Sequence, residues 1–500
     1  MPDLGGPYDA IVIGSGASGL CAANILAREG MKVLLIEQHY VFGGYLQRFW
    51  IEGTPFDTGC HYVGAMGEGQ VYDRYLRYLG VRDEIVSHPL DPEGFDQLHY
   101  PDFSFAIPVG LDRFAARLAE RFPAERDGIQ RYVAAIRAEV ARFPMYTLDG
   151  SPQDTASSDR TLAEVVDSLV HDRRVKEVLY AYNLLYLVPP EEAPFTLHAF
   201  VTDSYLQGAY TIDGGGHALA QALVRKLRER GGVARRKRRV TSIDVVDRQV
   251  RGIRTDRGEV EEARLVIACI DPKVAVSMLP AEAVRPVFRH RIERLRPGIG
   301  GLAAYLRTSA DLTPYGRCNY FHFNEEGNAA AFTERWFHEG TAPPVWLTAH
   351  SPRESRWKGP HAMTVLSALR AEHFADWSST ATGERGPAYE SFKRSLGERL
   401  VDQAIRYWPE LEGRIESAEF ATPLTHRDYT LNDGGAMYGT HHSIAQSGPR
   451  GASWRTRVRG LFLGGHSVLY PGLIGATISA FYACGEVVGL ESLHRKVAAA

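Results

Sequence analysis

The stretch from Tyr8 to Glu37 constrains this chain more than any other. Residues 8–13 are an apolar run, and Gly14-Ser15-Gly16-Ala17-Ser18-Gly19 is a glycine-rich turn. Residues 18–28 have helical character, and a second apolar run, Val33–Ile36, ends in Glu37. That order predicts a strand, a turn, a helix and a second strand, with an acid at the far end. The glycines serve distinct physical ends. Gly14 permits the tight turn, Gly16 lets backbone amides approach a pyrophosphate, and Gly19 lets the helix pack against the strand. Ala17 and Ser18 open the helix, whose free N–H groups would face the phosphates. Glu37 stands where an acid accepts hydrogen bonds from an adenosine ribose. A dinucleotide site is therefore expected, the alternative being an ordinary glycine-rich βα turn.

At 500 residues and 44% apolar content, the chain exceeds the usual single-domain range and has ample material for buried cores. Two closely joined domains are expected. A net charge of -3 gives no general case for nucleic acid or acidic partners. No charged-then-apolar amino-terminal segment suggests secretion, so a cytoplasmic location is expected. The five cysteines, Cys21, Cys60, Cys269, Cys318 and Cys484, are odd in number, widely spaced and without a C-x-x-C pair. Neither a disulfide framework nor a structural zinc site is supported. No run reaches the ~20 apolar residues that span a bilayer, so any membrane contact would be peripheral, from the surface.

Beyond Glu37 lie Phe42-Gly43-Gly44-Tyr45, Arg48, and Phe56-Asp57-Thr58-Gly59-Cys60-His61-Tyr62-Val63-Gly64. Two glycine-bearing turns so soon after the nucleotide unit imply backbone lying against a large flat ligand, the alternative being a buried turn of no chemical consequence. With the glycine fingerprint, these motifs resemble the flavin-binding oxidoreductases that include phytoene desaturases, carotenoid cis-trans isomerases and retinol saturases. The segment His61-Tyr62-Val63-Gly64 is most similar to the saturase branch. The resemblance implies FAD as cofactor, with Gly43, Gly44 and Arg48 near its phosphates and Thr58 and Gly59 near the isoalloxazine.

Residues 72–200 contain amphipathic helical segments at 72–79, 111–121, 129–143 and 162–187, separated by Pro and Gly, and predict a helical insert. Residues 178–188 are apolar and aromatic nearly all round before Pro189-Pro190. Such a helix is buried in a core, or it lines a lipophilic tunnel or membrane-facing lid. After Asp213-Gly214-Gly215-Gly216, a helix carries Leu219, Leu223 and Leu227. A β-meander is then expected from 240–246, 250–255 and the apolar run 265–270. By the resemblance, Val240 faces the adenine, and Ala268 with Cys269 sits close to the cofactor. The one dense basic run, Arg235-Arg236-Lys237-Arg238-Arg239, suits anionic lipid headgroups or nucleic acid. A solvated turn is the preferred reading, because alternate residues entering a strand point outward.

His426, His441 and His442 lack the helical spacing of metal ligands and are expected to be hydrogen-bonding or surface residues. At the end of the chain, Leu461-Phe462-Leu463-Gly464-Gly465-His466 and Tyr470-Pro471-Gly472-Leu473-Ile474-Gly475 precede a final helix expected to run to about residue 490. In the resembled family this helix aims its positive N-terminus at the flavin pyrimidine, which places Gly465, His466, Gly472, Leu473 and Ile474 at the cofactor. His466-Ser467 stands where many relatives carry an acid.

The expected fold is α/β, a Rossmann-type FAD-binding domain assembled from discontinuous segments with an α+β substrate domain and a helical lid. The expected cofactor segments are 1–71, 205–285 and 451–500, with 72–204 and 286–450 forming the substrate domain. The resemblance implies an FAD-dependent oxidoreductase acting on double bonds of an elongated apolar polyene, a lipophilic small molecule. Saturase-type reduction is favoured over desaturation, cis-trans isomerisation or a non-catalytic prenyl-binding escort. His61 and Tyr62, with ordinary pKa values near 6.5 and 10, are the expected proton donors or polarising groups.

Overall fold

The computed structural model describes residues 7–152, 158–324, 335–355 and 357–500. Its centre is a five-stranded parallel sheet in the spatial order Val233–Arg235, Val33–Ile36, Ala10–Ile13, Val266–Ala268, Leu461–Leu463. Strands buried on both faces are apolar at every position, and the strands Ala10–Ile13, Val33–Ile36 and Val266–Ala268 are buried throughout. That explains one departure from expectation: the 265–270 run is a central strand between Ala10–Ile13 and Leu461–Leu463, not part of the meander. The meander is closed instead by Val260–Glu262, next to Gln249–Thr255 and Val240–Val246.

The helix Ala17–Arg28 packs between the sheet and the long helix Gly472–Val488. The final helix stops at Gly489, whose φ of 89° ends it, and a separate helix Leu490–Ala498 follows.

A second, seven-stranded sheet is antiparallel except where Asn319–His322 pairs in parallel with Asp96–His99. The helix Gly386–Tyr407 covers one face of it, burying Trp408, Leu400 and Tyr389 against Leu306 and Val365. The 72–200 insert is helical only in part: Leu111–Arg121, Arg126–Ala141 and Phe195–Leu206 pack together, but Ser87–Pro89, Asp96–His99 and Ser104–Ile107 are strands, the last two in the seven-stranded sheet. The 162–187 segment is not one helix: Leu162–Asp167 and Arg173–Tyr180 are separate, and Ala181–Leu185 is a 3-10 turn. The break is held by Glu125, which accepts from the backbone of His171 and Asp172 at 3.0 and 2.6 Å, and by Asp172, which caps Arg174 at 2.8 Å. Among the described residues, no helix is long and apolar enough to cross a membrane.

Candidate active site

Three elements of the central sheet release their chains into one cavity of about 360 Å³. All the residues expected at the site line it except Gly19, Arg48 and Ala268. Gly19 has the packing role expected of it, since a Cβ there would lie 1.9 Å from the Gly14 carbonyl oxygen. Ala268 is buried inside its strand, and its neighbours Cys269 and Ile270 reach the cavity in its place.

Arg48 is displaced by its partners. Its guanidinium binds Asp57 through Nε and Nη2 at 2.9 Å each, and Nη2 lies 2.7 Å from Glu354. The pair is wedged against Gly215, where a Cβ would stand 2.0 Å from Asp57 Oδ1. A buried guanidinium already matched by two carboxylates braces the Arg48–Ile51 and Thr54–Asp57 hairpin and does not line the cavity.

The cavity wall fits a dinucleotide. A Cβ at Gly16, Gly465 or Gly472 would meet no protein atom within 4 Å, so these glycines border open space. Ser18 Oγ is buried without a protein partner. The helices Ala17–Arg28 and Gly472–Val488 begin at Gly16 and Pro471 without side-chain caps, leaving first-turn N–H groups to serve an anion or a carbonyl. Glu37 accepts from Ser15 N and Oγ at 2.9 and 2.6 Å and from His39 N at 2.8 Å. A carboxylate has roughly four acceptor sites, so about one remains for a ribose hydroxyl.

The basic run is taken up by the fold in part. Arg235 pairs with Glu261, Arg238 with Glu259 at 2.8 Å, and Arg236 donates to the Tyr40 carbonyl at 2.9 Å. Arg238 and Arg239 also reach the cavity beside Val240.

The far part of the cavity is greasy. Leu184, Leu185 and Leu187, from the turn after Arg173–Tyr180, face it together with Phe200, Phe321 and Trp346. The 178–188 run therefore does both things its composition allowed: Val178, Tyr182 and Tyr186 are core, and the leucines are wall.

His61 and Tyr62 meet this region from the Asp-Thr-Gly turn. Burial pushes His61 down to about 4, so its ring is neutral near pH 7, and neither ring nitrogen has a protein partner. The ring stacks on His350 at 5.1 Å and meets Trp346 edge-on at 4.9 Å. Tyr62 presents its ring to the cavity, while its hydroxyl donates to Asp96 Oδ2 at 3.1 Å. His426 and His466 also line the cavity, and burial lowers both to about 4. His441 is hydrogen-bonded to Glu192 at 2.9 Å and His442 to the Tyr438 carbonyl at 3.2 Å. Among the described residues, no group of three or more His, Cys, Asp or Glu is placed to hold a metal.

Asp96, which accepts from the Tyr62 hydroxyl, is not revealed by the motifs. A signal exists, since Asp96 and Leu98 share the inward face of the Asp96–His99 strand, which puts an acid on a core face.

A profile of flavin-containing amine oxidoreductases matches residues 17–380. The chain belongs to that family. This flavin oxidoreductase is an FAD-dependent enzyme, and the glycine cradle fits that cofactor. It is 28% identical to the all-trans-retinol 13,14-reductase of Macaca fascicularis, over 97% of this chain and 86% of that protein. It is 23% identical to the chloroplastic prolycopene isomerase of Daucus carota, over 98% and 81%. An oxidoreductase structure from Methanosarcina mazei has the same fold at a TM-score of 0.64 and 14% identity, covering 95% of this chain and 99% of that one.

Proposed function

We propose that this flavin oxidoreductase reduces a carbon–carbon double bond of an elongated, apolar polyene. The observation that carries the reading is the continuity of one cavity, from the glycine cradle at Gly16 to the apolar wall of Leu184, Leu187, Phe200 and Trp346. The likeness to a retinol reductase supports the substrate class. The likeness to a prolycopene isomerase supports a second reading, redox-neutral cis-trans isomerisation of the same kind of ligand.

In this reading Gly14, Gly16, Ala17 and Ser18 hold the pyrophosphate, Glu37 the ribose and Val240 the adenine side. Gly43, Gly44, Thr58, Gly59, Gly465, His466, Gly472, Leu473 and Ile474 hold the rest of FAD. Bound FAD supplies hydride exchange with carbon. The apolar wall excludes water and aligns the polyene. His61, being neutral, cannot act as an imidazolium acid, but it offers one N–H donor and one acceptor to a ligand. Tyr62 is the proton donor, the phenol being the remaining dissociable group of the His61-Tyr62 pair. Anaerobic incubation of photoreduced enzyme with a panel of polyenes, followed by mass spectrometry, decides between the readings: a gain of two hydrogens supports reduction, and an isomer of unchanged mass supports isomerisation.

His61→Leu is expected to move stability and activity in opposite directions. Removing two buried nitrogens that have no protein partner should stabilise the FAD-free protein by about 1 kcal/mol. Substrate-driven oxidation of the reduced enzyme should slow by about tenfold, the scale of one lost hydrogen bond to the ligand. A thermal scan and a single-turnover measurement check the pair, and a destabilised variant with full rate refutes the role given to His61.

The lipophilic ligand also motivates peripheral membrane association. With Arg235 and Arg238 paired, Arg236, Lys237 and Arg239 are the exposed cations of the run. Flotation with anionic vesicles should show weak binding at low salt that is lost at high salt. No binding at low salt removes the membrane from the account.

A further inference from the structure

Behind Tyr62, on the side away from the cavity, lies a buried polar knot that the cofactor cradle does not use. At its centre is Asp96, fully buried. Asp96 Oδ2 accepts from the Tyr62 hydroxyl at 3.1 Å, and Asp96 Oδ1 accepts from Asn319 Nδ2 at 2.8 Å. Asn319 is the register partner of Asp96 across the parallel strand pair, so the backbone fixes that contact. Arg353 donates from Nη2 to Asn319 Oδ1 at 3.0 Å and to the Cys318 carbonyl at 2.6 Å, without touching Asp96 itself. Tyr182 and Tyr205 face the carboxyl from the helical insert. Cys318 and Arg353 face it from the sheet side.

A buried carboxylate is costly unless fully matched. Asp96 has an amide and phenols against it and its nearest cation one residue removed. Burial pushes its carboxyl up to about 7, against the smaller opposing pull of Asn319, Tyr62 and Tyr182. A small second chamber of about 10 Å³, room for roughly one water, shares Cys60, His61, Tyr62 and Val63 with the main cavity. Its other wall carries Asp57, Glu354 and Arg353, whose Nη1 is buried without a protein partner.

We propose that Asp96 is the proton store of the active site, feeding Tyr62 from behind. The proposal rests on the reading of the enzyme as a polyene reductase. When Asp96 is protonated, its O–H donates to the Tyr62 oxygen, and the Tyr62 hydroxyl is free to turn its own proton towards the cavity. As a C–H bond forms at one alkene carbon, the Tyr62 O–H bond breaks and the Asp96 proton moves onto the Tyr62 oxygen. Reduced FAD, when bound, would supply the hydride for the other carbon, so that the alkene would gain two electrons and two hydrogens in all. Asp96 is left as a carboxylate held by Asn319 and takes its next proton from solvent by way of Tyr62, which lines both the cavity and the chamber. It acts through Tyr62, and so is a positioning residue.

The sign of the pH dependence follows. Asp96 holds its proton below about 7 and loses it as pH rises through that value, so the proton step should slow above neutrality. In wild-type enzyme, anaerobic oxidation of the reduced protein by substrate should fall about tenfold per pH unit above 7. In Asp96→Asn it should be slower by about 10²-fold at pH 6 and flat with pH. Tyr62→Phe should be equally slow, and the double variant no slower than either single one.

Infrared titration of the FAD-free protein supplies a readout independent of turnover. A protonated carboxyl band should titrate near neutrality, vanish in Asp96→Asn and shift in Tyr62→Phe. Retention of the wild-type pH profile in Asp96→Asn, or absence of a carboxyl band that responds to Tyr62→Phe, overturns the proposal. If Asp96→Asn does not fold, the wild-type and Tyr62→Phe spectra decide. If the polyenes are refused altogether, the reductase reading fails, while the infrared result still judges the coupling of Asp96 to Tyr62.

Discussion

Gly16→Val should yield a folded protein that carries no FAD. Gly16 has φ -61° and ψ 178°, extended backbone that valine adopts readily. A Cβ there meets no protein atom within 4 Å, so the apoprotein has room for the branched side chain. That room is the space assigned to the pyrophosphate, and filling it should cost about 100-fold or more in FAD affinity, the scale of a steric conflict of about 3 kcal/mol. Gly19→Ala is the matched control. Its new methyl collides with the Gly14 carbonyl, so it should lose the fold along with the flavin. Visible absorbance of the purified protein, read beside a circular dichroism melt, separates the two. Normal flavin content in folded Gly16→Val protein would remove the cofactor from this turn.

Asp57→Ala should be among the most destabilising single changes in the chain. Arg48 and Asp57 are 7% and 4% exposed, and the substitution leaves the guanidinium buried with Glu354 as its one remaining carboxylate. Breaking a buried pair in this way costs about 3–5 kcal/mol, because the stranded charge has already lost its water. Asp57 directly precedes Thr58 and Gly59 in the cavity wall, so FAD retention should fall together with the urea midpoint. A midpoint close to wild type would mean that Arg48 relaxes to solvent or to a phosphate, which would return it to the role the family resemblance suggested.

These two cases mark where sequence stops being informative. The turn from Gly14 to Gly19 is legible because its pattern is local: strand, glycines, helix and acid lie within thirty residues, although Gly14 itself is crowded by Cys269 and Ile270, which follow a distant strand. The role of Arg48 is not, because Glu354, which completes its ion pair, comes from a distant segment. Asp96 is hidden for the same reason, with Tyr62, Tyr182 and Asn319 arriving from three different stretches of chain. The 265–270 run reads as a strand but of the wrong sheet, since an apolar run announces burial without saying what it is buried between. The 162–187 segment reads as continuous because its amphipathic period survives the break, whereas Glu125, which holds that break open, lies far upstream.

The order in which the central sheet is assembled also bears on biosynthesis. Its edge strand, Leu461–Leu463, and the helix Gly472–Val488, whose first turn lines the cavity, are synthesised long after the strands Ala10–Ile13, Val33–Ile36 and Val266–Ala268. Until they arrive, the strand Val266–Ala268 has a bare flank and the glycine cradle lacks its fourth side. Parallel strands drawn from such distant segments are slow to pair, and their exposed apolar edges invite misassembly. Flavin capture by this enzyme should therefore follow pairing of the Leu461–Leu463 strand, since the cavity wall from Gly464 to Ala476 is in place only then.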